Sequence, residues 1–541
     1  MADLEAELRE AIQRVLDSPS RRKLVVAGPG TGKTTLFKRL LEQAEGEPTG
    51  RLVLTFINNL RNDLEGALGD LASVNTLHSY CMGQLHAKPG LRMGLTAGFR
   101  CVPGLGDVIR QDWEFIRGSP APQFVRQMRS LEAGDTVDFY LRRGNYYDAV
   151  DFDDSVYRVW RGASGNVELL ETYSLLLIDE YQDFNALEAG VIELLATKSP
   201  ILVAGDDDQA LYSHLRDSSW DHIRSLRNGG DFKVFELPFC MRCTRVIVDA
   251  VNDVLGQATR QAKLEGRIEK PYKHFPPTKG TDSQNYPTIA RVQTSVQRAN
   301  ANYMARYAAM VAAQIPSDEI REANEGSFPV LLVIVAKPYR TQIIEYLDKS
   351  GFDVDTKRDS TTVLSREDGI SILKEDIGSN VGWRVLLAFE SDAFARDAIR
   401  SSQDGQAKLL DLIPVEFRNA TLQEVEAWEP LVLEEPEAAP GETKDARVTI
   451  RVTSFEGAKG LSAQHVVIAG LHDGELPRDP DQIQDIEICR FLVGLTRTRK
   501  RCYLVYTRRF ADQMKRPSVF LGWIDNSRYE RITVDAGYWK Q

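Results

Sequence analysis

Short apolar runs bounded by turn residues recur along the chain and set its architecture before any motif is considered. The short apolar run that follows the basic turn of RRKLVVAGPGTGKTTLFKRLLEQ (21–43), with RLVLTF (51–56), YSLLLIDE (173–180) and SPILVAGD (199–206), reads as a set of buried strands, each followed by a turn and a helical pattern. That alternation predicts an α/β fold, a parallel sheet flanked by helices. Residues 80–165 break the rhythm: rich in Gly, Pro, Arg and aromatics, they predict a mostly helical insertion. A second α/β set follows in KVFELP (233–238), PVLLVIVA (329–336), VTIRVTSF (448–455), HVVIAGL (465–471) and RCYLVYT (501–507). Within that set, 391–446 holds EVEAWEPLVLEEPEAAPGETKDA, whose Glu, Pro and Ala content predicts a small, acidic, partly disordered insertion. The expected division is one domain from 1–79 and 166–232 around the insertion 80–165. A second comprises 233–390 and 447–541 around the insertion 391–446.

Composition changes this picture little. With 541 residues, 43% hydrophobic and 27% charged, several buried cores are expected. The net charge of −11 argues against wholesale wrapping of nucleic acid but leaves room for a local basic groove. PVLLVIVA is too short to span a bilayer, and the acidic start MADLEAELREAIQRVL differs from a signal peptide, so a cytoplasmic protein without a membrane partner is expected. Cys240 and Cys243 form a CxxC with no second pair to complete a zinc site, so structural cysteines are expected.

The chemistry begins at AGPGTGKT (27–34), placed between a strand and an amphipathic helix. Gly28, Gly30 and Gly32, with Pro29 and Thr31 between them, let backbone N–H groups turn inward around phosphate oxygens at the positive end of a helix. Lys33 is then placed for the β- and γ-phosphates and the Thr34 hydroxyl for Mg²⁺. In LLLIDEYQDFN (175–185), Asp179 at the end of an apolar strand is the metal-side acid. Glu180 is positioned to orient and deprotonate the attacking water. The pairing predicts an NTP hydrolase that uses Mg²⁺.

GDDDQALYSH (205–214) sets Asp206, Asp207 and Asp208 before a glutamine, an aromatic and His214. A metal site and an acidic strand-end turn are both compatible with that order. Because Asp179 already supplies the magnesium acid, the turn is the expected role.

With these segments in hand, the chain resembles the UvrD/Rep-like superfamily 1 helicases. The resemblance runs in order through AGPGTGKT, TFINNLRNDL (55–64), VNTLHSY (74–80), DEYQDFN and GDDDQALYSH. It continues through FELPFCMRCTRVIVDAVN (235–252), VTSFEGAKGLSAQHVVIAGLHDGELPR (452–478) and ICRFLVGLTRTRKRCYLVYT (488–507). It implies two RecA-like P-loop NTPase domains, with helical insertions, that close on ATP and step along single-stranded DNA. It implies that Gln209 senses the γ-phosphate, and that Arg242 and Arg497 arrive from the second domain to neutralise developing charge. Gly460 and its neighbour Lys459 belong to a loop between nucleotide and DNA, and Gln13 falls where the family reads adenine. For DNA, the resemblance points to Phe56, Asn58, Thr76, His78, Tyr212, His214 and Arg216.

The chain departs from the family in informative places. Thr35 and Met241 stand where an arginine and an aromatic sandwich the adenine, and Ser462 replaces a glutamate near the sugar. His214 replaces a base-stacking tryptophan, with Arg216 one residue late. Arg142, Arg143, Tyr146 and Tyr147 are further candidates for DNA-backbone contacts or for a solvated face. The leading expectation is a 3′-to-5′ translocase or helicase acting on single-stranded or partly duplex DNA in repair, recombination or defence. One alternative is an ATP-gated nucleic-acid sensor that regulates a partner nuclease with little unwinding. Another is an RNA-dependent ATPase. The methionine at 241 packs more loosely on a purine than an aromatic ring, so base discrimination is expected to be relaxed. Hydrolysis measured over the four NTPs checks this, and strict preference for ATP overturns it.

Overall fold

The computed structural model describes residues 2–294, 301–355, 364–390, 393–429, 448–510 and 513–540. Two parallel sheets form its frame. The first contains β1 (Arg22–Ala27), β2 (Arg51–Thr55), β3 (Ser73–Thr76), β4 (Leu175–Ile178), β5 (Ile201–Gly205) and β6 (Lys233–Leu237). Their spatial order is β3-β2-β4-β5-β1-β6, with every neighbouring pair parallel. Leu24, Val25, Val26 and Ala27 are fully buried, as expected for a central strand covered by helices on both faces. Leu24 pairs with Val203 and Val26 with Gly205, so the segments after β1 and β5 leave the same sheet edge side by side. That edge, at the carboxyl ends of the strands, is where open α/β sheets bind ligands.

The second sheet contains β7 (Ile289–Thr294), β8 (Leu331–Val335), β9 (Asp353–Asp355), β10 (Thr449–Thr453), β11 (Ala463–Ala469), β12 (Thr498–Thr507) and β13 (Tyr529–Val534). The order is β9-β10-β8-β11-β12-β7-β13, again parallel throughout. The α/β expectation of two parallel sheets therefore matches the architecture. One boundary differs. KVFEL (233–237) was expected to open the second set, yet β6 pairs with β1 through Lys23↔Lys233 to Ala27↔Leu237 and closes the first sheet. A short apolar run specifies burial but not the sheet that buries it. The strands β7, β9 and β13 escaped the pattern because they are short or interrupted by polar residues, as in YERITV at the sheet edge.

Helices fill the first insertion, from Leu77–Ala87 to Phe152–Gly165. The second insertion was expected at 391–446, but its helical body starts earlier. Arg366–Glu375 and Asn380–Leu387 pack with Ala393–Ser401 and Val415–Ala427 around a core that includes Trp383 and Leu386. Residues 430–447 of the acidic stretch lie outside the described residues. No described helix is long and apolar enough to cross a membrane.

The two insertions are fastened together by buried charge. Asp112, fully buried, accepts from Arg143 Nε at 2.8 Å, from Tyr147 Oη at 2.5 Å and from Arg384 Nε of the other insertion at 2.7 Å. Arg143 also donates to Ser402 O at 3.0 Å, and Tyr146 Oη to Ala407 O at 3.0 Å. Arg143 and Tyr146 therefore hold the insertions to each other in this arrangement, with Tyr147 bracing Asp112 from within the first. Removing one partner of a buried ion group leaves an uncompensated charge, which costs about 3–5 kcal/mol. Asp112→Ala is expected to lower stability by about that amount in urea unfolding. Asp107→Ala, at an exposed 3.8 Å pair with Arg110, is expected to change it by less than about 1 kcal/mol.

Candidate active site

The loop after β1 has the shape its glycines imply. Gly30 and Gly32 take φ of 71° and 91°, left-handed values open to glycine, and Gly32 caps the helix Lys33–Gln43. The second domain packs against the loop. Met241 N donates to Gly30 O at 2.9 Å, and a Cβ on Gly30 would lie 2.5 Å from Arg242 Cβ. On the other side Tyr272 Oη donates to Pro29 O at 3.1 Å, and its ring leaves no room for a Cβ on Gly28. The Thr31 hydroxyl closes the turn by donating to Gly28 O at 2.9 Å.

Facing the loop, β4 delivers Asp179 and Glu180. Lys33 Nζ lies 2.7 Å from Glu180 Oε1 and 3.9 Å from Asp179 Oδ1. Gln182 donates to Glu180 Oε2 at 2.7 Å. Glu180 itself has φ 54°, a strained value for a residue with a side chain. Lys459 reaches in from the second domain, pairing with Asp183, lying 3.6 Å from Glu180 Oε2 and donating to Gln209 O at 2.6 Å. Burial alone would raise the Glu180 carboxyl, but Lys33 and then Lys459 outweigh it and hold it below the usual range. Burial raises Asp179 despite the opposing pull of Lys33, and Glu180 adds to the rise. Lys33, although desolvated, is driven up by Glu180 and Asp179.

Gln209 joins the domains: Arg497 Nη2 donates to its Oε1 at 2.9 Å. Burial, with Arg242 nearby, lowers the Arg497 guanidinium to about 10. The space between these groups is a cavity of about 240 Å³. Its lining includes Lys33, Thr34, Asp179, Gln209, Arg242 and Arg497, with Gly460 at its rim. A left-handed glycine cradle, a lysine, a hydroxyl and a carboxylate in one cleft fit a nucleotide's phosphates with a divalent cation. The base-side candidates fare unevenly. Met241 Cε lies against Gly32, 2.5 Å from where a Cβ would stand, whereas Thr35 is exposed and Gln13 donates to Asp17 at 2.7 Å. Ser462 Oγ accepts from Arg499 at 3.3 Å.

The aspartate run is a turn with its own counter-ions. Lys270 Nζ lies 2.7 Å from Asp206 and 2.6 Å from Asp208, Arg267 grips Asp208 through two nitrogens, and Arg224 pairs with Asp207 at 3.0 Å. Nothing local in GRIEKPY (266–272) marks Arg267 and Lys270 as these partners; tertiary packing brings them there.

Several residues expected at the DNA lie in the interior. Phe56, 3% exposed, meets Phe184 edge-on at 5.7 Å and Tyr212 at 4.9 Å. Thr76 caps the helix Leu77–Ala87 by accepting from Ser79 N. Arg216 lies over Phe56 at 4.7 Å and reaches His78 at 3.1 Å and Glu188 at 3.4 Å. Burial, helped by Arg216, lowers His78 to about 3, so it is neutral at physiological pH. Tyr212 Oη donates to Glu456 O at 3.1 Å across the domains. Asn58 is exposed at the start of its helix, and the His214 side chain lies outside the described residues. Phe152, 40% exposed and edge-on to His78 at 5.7 Å, was not singled out in the sequence, because one phenylalanine in VDFDDS gives no periodic signal.

A glycine cradle at the edge of one parallel sheet, met by arginines and a lysine from a second, defines a P-loop NTPase of two RecA-like domains. A family profile described as an AAA domain matches residues 9–214. The ATP-dependent DNA helicase PcrA of Staphylococcus aureus is 25% identical over 275 residues, 43% of this chain and 37% of that protein. Its counterpart in Staphylococcus epidermidis is 26% identical over 296 residues, 47% of this chain and 40% of that protein. The matches thus span well under half the length of these relatives. With the motifs in order along both sheets, they support the resemblance to the UvrD/Rep-like superfamily 1 helicases.

Gly30→Ala tests the cradle, because a methyl there meets both a forbidding φ and Arg242. Catalytic efficiency for ATP is expected to fall by about 100-fold. Gly66→Ala, whose Cβ meets nothing within 4 Å, is expected to hydrolyse ATP as the parent does.

Proposed function

We propose that this protein is an ATP-driven motor on single-stranded DNA, moving 3′ to 5′, that serves repair, recombination or defence against foreign DNA. The observation that carries the reading is convergence: Lys33, Glu180 and Gln209 of one sheet meet Lys459 and Arg497 of the other around one cavity. In this arrangement Lys33 and Lys459 hold the Glu180 carboxylate and make it a poor base. Phosphates entering the cradle give Lys33 a stronger anionic partner. Glu180, released on one side, can then accept the proton of the attacking water. Thr34 and Asp179 would hold magnesium, which supplies positive charge to the phosphate oxygens. Arg242 and Arg497 face charge that develops on transfer, so hydrolysis and separation of the sheets are coupled. Phe152 beside His78 and Arg216 offers an exposed aromatic face to a base.

A second reading, an ATP-gated sensor for a partner nuclease, draws on the Asp112 network that ties the insertions together and restrains their independent movement. ATP hydrolysis with and without single-stranded DNA or RNA tests both. DNA stimulation is expected, and Lys33→Ala and Glu180→Gln are each expected to lower turnover by about 100-fold or more. Parent-like turnover in both variants sinks the site assignment. Stimulation by RNA alone moves the substrate to RNA, and stimulation by neither nucleic acid favours the sensor.

A further inference from the structure

The turn after β5 buries three adjacent carboxylates, with Asp206, Asp207 and Asp208 exposed by 1%, 2% and 5%. Charges so placed need partners. Asp207 has Arg224 and the Ile268 N–H at 2.8 Å, and Asp208 has both nitrogens of Arg267. Among the described residues, the cation within ion-pair distance of Asp206 is Lys270. Asp206 is also the residue of the run that touches the hydrolytic groups. Its Oδ2 accepts from Gln209 Nε2 at 2.7 Å, which turns Gln209 Oε1 toward Arg497. Its backbone N–H donates to Gln182 Oε1 at 2.9 Å, which turns the Gln182 amine toward Glu180. Both amides are thereby fixed in one orientation by the same residue.

We infer that Lys270 is a positioning residue for ATP hydrolysis, acting through Asp206 to aim Gln209 at Arg497 and Gln182 at Glu180. The inference rests on the hydrolytic reading above. Lys270 does not line the cavity, so its loss is felt in turnover and not in nucleotide binding.

Steady-state ATP hydrolysis by the full chain tests this. Lys270→Met is expected to lower kcat about tenfold with KM for ATP within about twofold. Lys270→Arg is expected to keep most of the parent's kcat. In Asp206→Asn/Lys270→Met the orphaned carboxylate is gone, and kcat is expected to exceed that of Lys270→Met alone. Arg267→Gln removes a cation from the same cluster but not from Asp206, and is expected to leave kcat within about twofold. An unchanged kcat in Lys270→Met overturns the inference. So does an equal loss in Arg267→Gln, which marks the cluster as merely structural. If Lys270→Met fails to fold, the double variant and Lys270→Arg decide: the inference is overturned if neither retains turnover above that of Glu180→Gln. Failure of the hydrolytic reading would look different, because the parent itself would then lack turnover.

Discussion

The Glu180 carboxylate, buried between an ammonium group from each sheet, is the interaction around which the cleft is built. Desolvated carboxylates are costly, and here Asp179, Glu180 and Asp183 crowd together largely out of water. Lys33 and Lys459 make the crowd tolerable, and Lys459 does so only if the second sheet stays close. The position of one domain is thus written into the electrostatics of the other. The left-handed backbone of Glu180 fits this picture: strain is held at the residue whose placement matters most.

A second set of buried charges works outside the cleft. Asp112, Arg143 and Arg384 join the two insertions, each of which interrupts a different sheet. The sheets are consequently linked through the joined insertions as well as across the cleft. Any opening of the cleft must either carry the insertions along or break a buried ion group. This restraint separates the protein from a pair of domains moving freely about a hinge.

Much of the fold was legible in the chain because both faces of a parallel sheet are covered. RKLVVA, YSLLLI and PVLLVIVA are apolar without alternation, and such runs announce buried strands wherever they occur. Edge strands such as YERITV carry polar residues among the apolar ones and gave no such signal. The glycine cradle was equally legible, because it is local: its glycines, Lys33 and Thr34 lie within a few residues of one another. The surroundings of the residues proposed for DNA were less so. Phe56 and His78 have side chains able to stack, but whether they face solvent or Phe184 and Arg216 depends on elements far away in sequence.

The sequence by itself determined the class of fold, the phosphate cradle and the order of the acids, because each depends on neighbours a few residues apart. The tertiary structure decided which sheet takes β6, where the second helical body begins, and that the insertions are locked together. It also decided the fate of the aspartates at 206–208. Their order alone allows a metal site or a turn, with the turn expected; folded, they meet Lys270, Arg267 and Arg224. Partners separated by up to 64 positions in sequence leave no periodic trace. Ion pairing is decided by distance in space, which only the folded chain supplies.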